Sequence, residues 1–179
     1  MKKSLWRGAL AGLAGGIAAS FAMNRVHALW TQLDAGEGAS RSKEEQGGQI
    51  EKGRQQRQGT DRDEGSSTEK AAEALAEQFG VYLDDASRKR LGTVLHYAFG
   101  ATLGAFYGAA VEVSPRVAAG AGVPFGAAVW LAADEVGMPA MGFARPPAQQ
   151  PLEVHVQSLT DHAVYGAVTE LVRCLFRGR

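Results

Sequence analysis

Three stretches of the chain carry no charged side chain: Gly8 to Asn24, Leu91 to Val111 and Val117 to Ala133. At 17, 21 and 17 residues they approach or reach the roughly 20 residues that span about 30 Å of hydrocarbon as helix. A helix in water normally shows a polar stripe every three or four residues, and these stretches show none. A fourth segment, Pro151 to Phe176, is compromised. His155, Ser158, His162, Tyr165, Thr169 and Arg173 recur at helical spacing, against Val156, Leu159, Ala163, Ala167, Leu171 and Leu175 on the opposite face. Such a helix crosses lipid only with its polar stripe turned toward other helices or water; otherwise it lies flat on the membrane surface.

The pattern predicts an all-α protein: a four-transmembrane-helix bundle of two tandem helix pairs, plus one short amphipathic helix in a charged insert. The expected divisions are a first transmembrane helix over 1–33, a disordered polyampholyte linker over 34–67, an amphipathic surface helix and turn over 68–84, and a three-helix transmembrane unit over 85–179. Within that unit the spans fall at about 91–112, 116–135 and 153–176. Ser66-x-x-Glu69 reads as a capping box, with Ala71, Ala72, Leu75 and Phe79 on one face and Gly80 as the stop. Asp84 or Asp85 caps the second span. Ser114-Pro115 suits a helix start and so a tight hairpin, Pro124 should kink the third span, and Gly137-Met138-Pro139 should end it. Lys2, Lys3 and Arg7 before an apolar run also admit a signal peptide, but the helical pattern continues through Val26 to Leu33 and favours an uncleaved span.

Charge sharpens this division. The chain has 179 residues with 19 basic and 19 acidic side chains, and between Asp34 and Arg90 lie 10 of the basic and 13 of the acidic ones. A mean hydropathy of −0.16 therefore averages a charged insert with apolar spans. Zero formal net charge removes the usual electrostatic case for nucleic acid. The single cysteine, Cys174, excludes an intramolecular disulfide framework and a multi-cysteine zinc site.

Small residues recur every fourth position. Gly8, Gly12, Gly16, Ser20 and Asn24 form one series, and His96, Gly100, Gly104, Gly108 and Glu112 a second. Gly122, Gly126, Trp130 and Asp134 form a third. Residues four apart stack on one face, and glycine there lets helix backbones approach. Gly12, Gly16, Gly100, Gly104, Gly108, Gly122, Gly126 and Gly166 are thus expected to be packing residues; no strand precedes them as a phosphate loop requires. An internal repeat supports two pairs. Tyr107-Gly108-Ala109 with Glu112 recurs 58 residues later as Tyr165-Gly166-Ala167 with Glu170, and Gly12, Gly16 and Asn24 align with Gly122, Gly126 and Asp134 at an offset of 110.

Because successive spans alternate direction, Asn24, Arg25, His27, His96, Asp134, Glu135 and His155 should share one side, with Glu112 and Glu170 toward the other. His162, beside Asp161, lies deeper, and charged groups at that depth belong inside the bundle. His96, Asp134, Glu135, His155, Asp161, His162, Glu112 and Glu170 form the candidate polar, proton-responsive set, since histidine titrates near pH 6.5. A divalent-metal site would use His96, Asp134 and His155; the bland alternative is hydrogen bonding to loops and headgroups. No cofactor is expected. Without a nucleophile elbow or triad, neither is catalysis, and Cys174 reads as a packing residue. Trp6, Trp30 and Tyr82 suit interfacial anchoring.

Several stretches resemble the YagU-like family of small bacterial inner-membrane proteins, over about Leu95 to Phe176. The resemblance rests on His96-x-x-Phe99-Gly100, Tyr107-Gly108-x3-Glu112, Phe125-Gly126 to Trp130, Met138-Pro139-x2-Gly142-Phe143-x2-Pro146-Pro147, and His162-x-x-Tyr165-Gly166-x3-Glu170. It implies a multi-span membrane protein with a role in acid resistance. The expected function is non-enzymatic support of acid-stress tolerance in the inner membrane. The alternatives are a small proton or cation transporter, or a structural subunit docking a larger complex. Its partner is the bilayer, with a homo-oligomer or membrane-protein partner as a further expectation and no nucleic acid. Basic residues at both ends, with Arg116 and Arg173, favour cytoplasmic termini.

Overall fold

The computed structural model describes residues 4–44 and 66–178. Among them the secondary structure is helical, with no strand. Helix α1 covers Leu5–Glu44, α2 Ser67–Gln78 and α3 Asp85–Val113. Helix α4 covers Val123–Trp130 and continues through a π-helical stretch, Leu131–Gly137, into Met138–Ala140. Helix α5 covers Leu152–Arg177. Helix α1 therefore runs past the expected boundary at residue 33; no proline interrupts its hydrogen-bond ladder. Residues 45–65, the bulk of the expected disordered linker, lie outside the described residues.

The element ends follow local chemistry. The Ser66 hydroxyl accepts from the Glu69 amide, half of a capping box. At the other end of α2, Gly80 adopts φ of +67° and the Val81 amide donates back to the Ala76 carbonyl at 3.0 Å, closing the helix as a left-handed glycine cap does. Asp84 caps α3 through the Ser87 amide at 2.8 Å.

The third span departs from expectation. Ser114 both ends α3 and precedes a helix start with Pro115 in the first turn, as expected, but that helix is only a 3-10 turn over Pro115–Ala118, and Ser114 makes no side-chain cap bond to it. Gly120, Ala121 and Gly122 then all take positive φ, 73°, 54° and 81°, which breaks the helix expected from 116. Pro124 does not kink α4. It sits in the first turn, where its missing amide costs nothing. Pro139 lies inside the helix expected to end before it, and the preceding π-helical stretch absorbs the register change.

Glycine determines how the helices meet. Helices α1 and α3 run antiparallel, with a Cβ on Gly12 colliding with the Gly104 carbonyl, one on Gly16 with that of Gly100, and one on Gly108 with that of Gly8. Helices α4 and α5 repeat the arrangement, Gly122 against the Gly166 carbonyl and Gly126 against that of His162. Gly15 brings α1 onto α5 beside Thr169. Tyr107 of α3 stacks on Phe125 of α4 with ring centroids 4.4 Å apart, closing the remaining side. The two seams correspond through Gly8 and Gly122, each on a glycine carbonyl with a glutamate beside it. That is one helical turn away from the Gly12-to-Gly122 alignment expected from sequence.

The radial distribution of side chains is inverted relative to a protein folded in water. Ala11, Ala19, Tyr107, Val111 and Tyr165 are buried together with Glu112, Asp161, His162, Glu170 and Arg173. Leu10, Leu13, Ile17 and Phe21 of α1, Phe99 and Phe106 of α3, and Leu171, Leu175 and Phe176 of α5 are exposed. Large apolar surface facing outward in contiguous stripes marks contact with an apolar medium or partner. Two helices, over Leu5–Leu33 and Asp85–Val113, are long and apolar enough to cross a membrane. On length and composition α4 and α5 do not reach that mark: α4 begins late, and α5 carries its polar stripe.

Candidate functional site: polar networks at opposite ends of the helices

The alternating helix directions place the end of α1, the start of α3, the end of α4 and the start of α5 together. His96, Asp134, Glu135, His155, Asp161 and His162 all come to this end, but as separate small groups rather than one constellation. His155 Nδ1 meets Glu135 Oε1 at 2.7 Å and its Nε2 meets the Pro147 carbonyl at 3.1 Å. Both partners are acceptors, so only the doubly protonated ring donates to both. His162 Nδ1 donates to the Ser158 carbonyl at 2.9 Å, with Asp134 Oδ2 at 3.7 Å, and the Ser158 hydroxyl donates to the same Asp134 oxygen. Asp134 and Glu135 both sit on the π-helical stretch, whose wider turn is frequent at functional positions.

Asp161, 3% exposed, accepts from His27 Nδ1 at 3.1 Å through Oδ2. His96 does not join Asp134 or His155 in a shared donor set. It lines a cavity with Asn24, His27 and Asp161 instead. The proposed metal ligands His96, Asp134 and His155 thus have three different surroundings, and among the described residues no group of three or more His, Cys, Asp or Glu is placed to hold a metal ion.

Glu112 and Glu170 are at the opposite end, each held by an arginine. Arg177 Nε donates to Glu112 Oε1 at 2.8 Å. Arg173 donates twice to Glu170, Nε to Oε2 at 2.6 Å and Nη2 to Oε1 at 2.8 Å. The Tyr107 hydroxyl and the Cys174 thiol also donate to Glu170. Between the two ends, the Tyr165 hydroxyl donates to the Gly100 carbonyl at 2.6 Å and the Thr169 hydroxyl to that of Tyr165 at 2.7 Å. The stripe predicted on α5 therefore faces inward from His162 onward, where His162, Tyr165, Thr169 and Arg173 are all buried, while His155 and Ser158 at its start are half-buried.

Sequence reasoning missed three partners. The Arg173 pairing had a signal, its i+3 spacing from Glu170. Arg177 on Glu112 and His27 on Asp161 had none, because each joins residues far apart in the chain on different helices.

Helix α2 packs on the first half of α3, its Ala72 and Ala76 buried and Glu69 against Gly92. Arg88 ties the two, at 3.8 Å from Glu69, 4.0 Å from Glu73 and 3.0 Å from Asp85. The face expected to pack, with Leu75 and Phe79, is displaced by one residue, so those two side chains are exposed, with Tyr82 92% exposed beside them.

These features define an all-helical protein with two membrane-length helices, small-residue seams and ionisable groups sealed inside. The chain belongs to the family described as "Protein of unknown function (DUF1440)", whose model matches residues 67–171, from the start of α2 into the second half of α5. No curated protein and no solved structure matches it.

Proposed function

We propose that the protein is a non-enzymatic, multi-pass protein of a bacterial inner membrane that supports acid-stress tolerance through its His–carboxylate groups. Four helices cross the bilayer in this reading. The observation that carries it is the inverted radial distribution: leucine and phenylalanine outside, glycine and buried charge inside. In lipid, apolar area does not drive helices together, so close glycine packing does that work while the ionisable groups pair internally. The matched seams, Gly8 and Gly12 on Gly108 against Gly122 and Gly126 on Gly166, support an internally duplicated helix pair. The resemblance to the YagU-like family overlaps the matched family region and favours the same role.

The acid response centres on His155. Protonated, it ties α5 both to Glu135 and to the loop at Pro147; neutral, it can donate only one of those bonds. Acid therefore tightens this end of the molecule until the carboxylates themselves protonate. The test is hydrogen exchange on the protein in lipid nanodiscs between pH 7 and pH 5, corrected for intrinsic exchange. We expect protection to rise around 135–155 on acidification and the rise to vanish in His155→Gln. Equal pH dependence in both proteins would contradict the reading. Arg7, Arg116, Arg173 and Arg177 share the end opposite the histidines, which favours that end, with both termini, as cytoplasmic.

The inward stripe of α5 favours a second reading, conduction of protons or small cations along that helix. Proteoliposome flux lost in His162→Ala supports it, and no flux under any gradient removes it.

A further inference from the structure

Where α1, α2 and α3 meet at the histidine end, a cavity of about 270 Å³ is lined by Asn24, His27, Glu69, Lys89, His96 and Asp161, among others. A single water's share of liquid volume is about 30 Å³, so the space exceeds one molecule. Two buried atoms of the lining have no hydrogen-bond partner, Asp161 Oδ1 and His96 Nε2. The Asp161 side chain is 4% exposed, and its other oxygen is engaged by His27. A carboxylate oxygen only accepts. His96 Nε2 is a second acceptor when the ring is neutral with its hydrogen on Nδ1.

Asp161 Oδ1 therefore waits for a donor, and in that tautomer His96 Nε2 does too. The titratable groups around them are His27, Lys89 and Glu69 on the cavity wall, Glu69 being bridged to Arg88, with His162 and Asp134 also near His96. We propose that the cavity binds a small cation that donates hydrogen bonds, of the ammonium or primary alkylammonium class, its N–H groups meeting Asp161 Oδ1 and His96 Nε2. A sodium or potassium ion offers no N–H and prefers oxygen over imidazole nitrogen. The side chains are also not arranged for a transition metal: among the described residues no group of three or more His, Cys, Asp or Glu is placed to hold one.

The experiment is calorimetric titration of the full-length protein in detergent micelles at one fixed pH, with methylammonium chloride against sodium chloride at equal ionic strength. We expect saturable binding of methylammonium with none for sodium, and at least a tenfold loss of affinity in Asp161→Asn. Thr93→Phe fills the same cavity from an exposed position and should abolish binding even if Asp161→Asn does not fold. No saturable binding to the wild-type protein, equal binding of sodium, or undiminished binding in Thr93→Phe would overturn the inference. Holding pH constant keeps the outcome separate from the acid response: binding can fail while the His155 effect persists, and the reverse.

Discussion

At the residue scale, the buried charges decide what substitution costs. Arg173 and Glu170 are both buried and share two hydrogen bonds. Removing one partner strands the other charge, which typically costs about 3–5 kcal/mol, whereas replacing both by apolar side chains is often near neutral. Arg173→Leu should therefore destabilise by about 3 kcal/mol in reversible SDS unfolding from mixed micelles, and Glu170→Met with Arg173→Leu should recover most of that. Asp84 is a surface counterpart outside the spans. The Ser87 hydroxyl and amide beside it hold its carboxyl below the ordinary value. A lowered folded pKa means stability that is full above the unfolded carboxylate value and is lost as pH falls through the folded one. The Ser87 amide resonance should shift over that acidic window, and Asp84→Ala should abolish the shift. That acids and histidines would gather at two opposite ends was legible from the alternating spans. Their partners were not: Glu112 finds Arg177 and Asp161 finds His27 across helices whose rotation no local pattern sets.

At the element scale, glycine acts in two distinct ways. Along the seams it permits backbone contact, so Gly12→Val in α1 or Gly126→Val in α4 drives a side chain into a facing carbonyl. Such overpacking should cost about 1–3 kcal/mol or separate the helices. At Gly80 nothing lies within 4 Å and only the φ of +67° restricts the residue, so Gly80→Ala should cost about 1–2 kcal/mol through strain alone. Comparing the three variants in the same SDS unfolding assay checks whether seam contact or backbone conformation dominates. The seams were readable because a four-residue glycine period has few other uses in an apolar helix. The start of α4 was not. Residues 117–122 are as apolar as a span, and only the glycines around Ala121 together with Pro124 set the true beginning at Val123. Apolar composition alone does not separate helix from compact turn.

At the scale of the whole molecule, the organisation is a polar interior behind an apolar exterior. The same sequence that leaves Leu10, Phe106 and Leu171 outside buries Glu112, Asp161 and Arg173, an arrangement that suits an apolar surrounding medium, as proposed. The all-helical class, the amphipathic α2 and the inward stripe of α5 follow from periodicity. Whether α4 and α5 cross a bilayer, as proposed, does not, since neither has the plain apolar length that marks α1 and α3. Site-directed spin labelling measures this directly. Cysteines placed one at a time at Leu10, Phe106, Leu131 and Leu171 in a Cys174→Ser background, labelled and reconstituted into nanodiscs, report collision with oxygen, which enriches in lipid, against a water-soluble nickel reagent. All four labels should be accessible to oxygen and shielded from nickel. Nickel accessibility at Leu131 and Leu171 equal to that of a label at Tyr82 would contradict it.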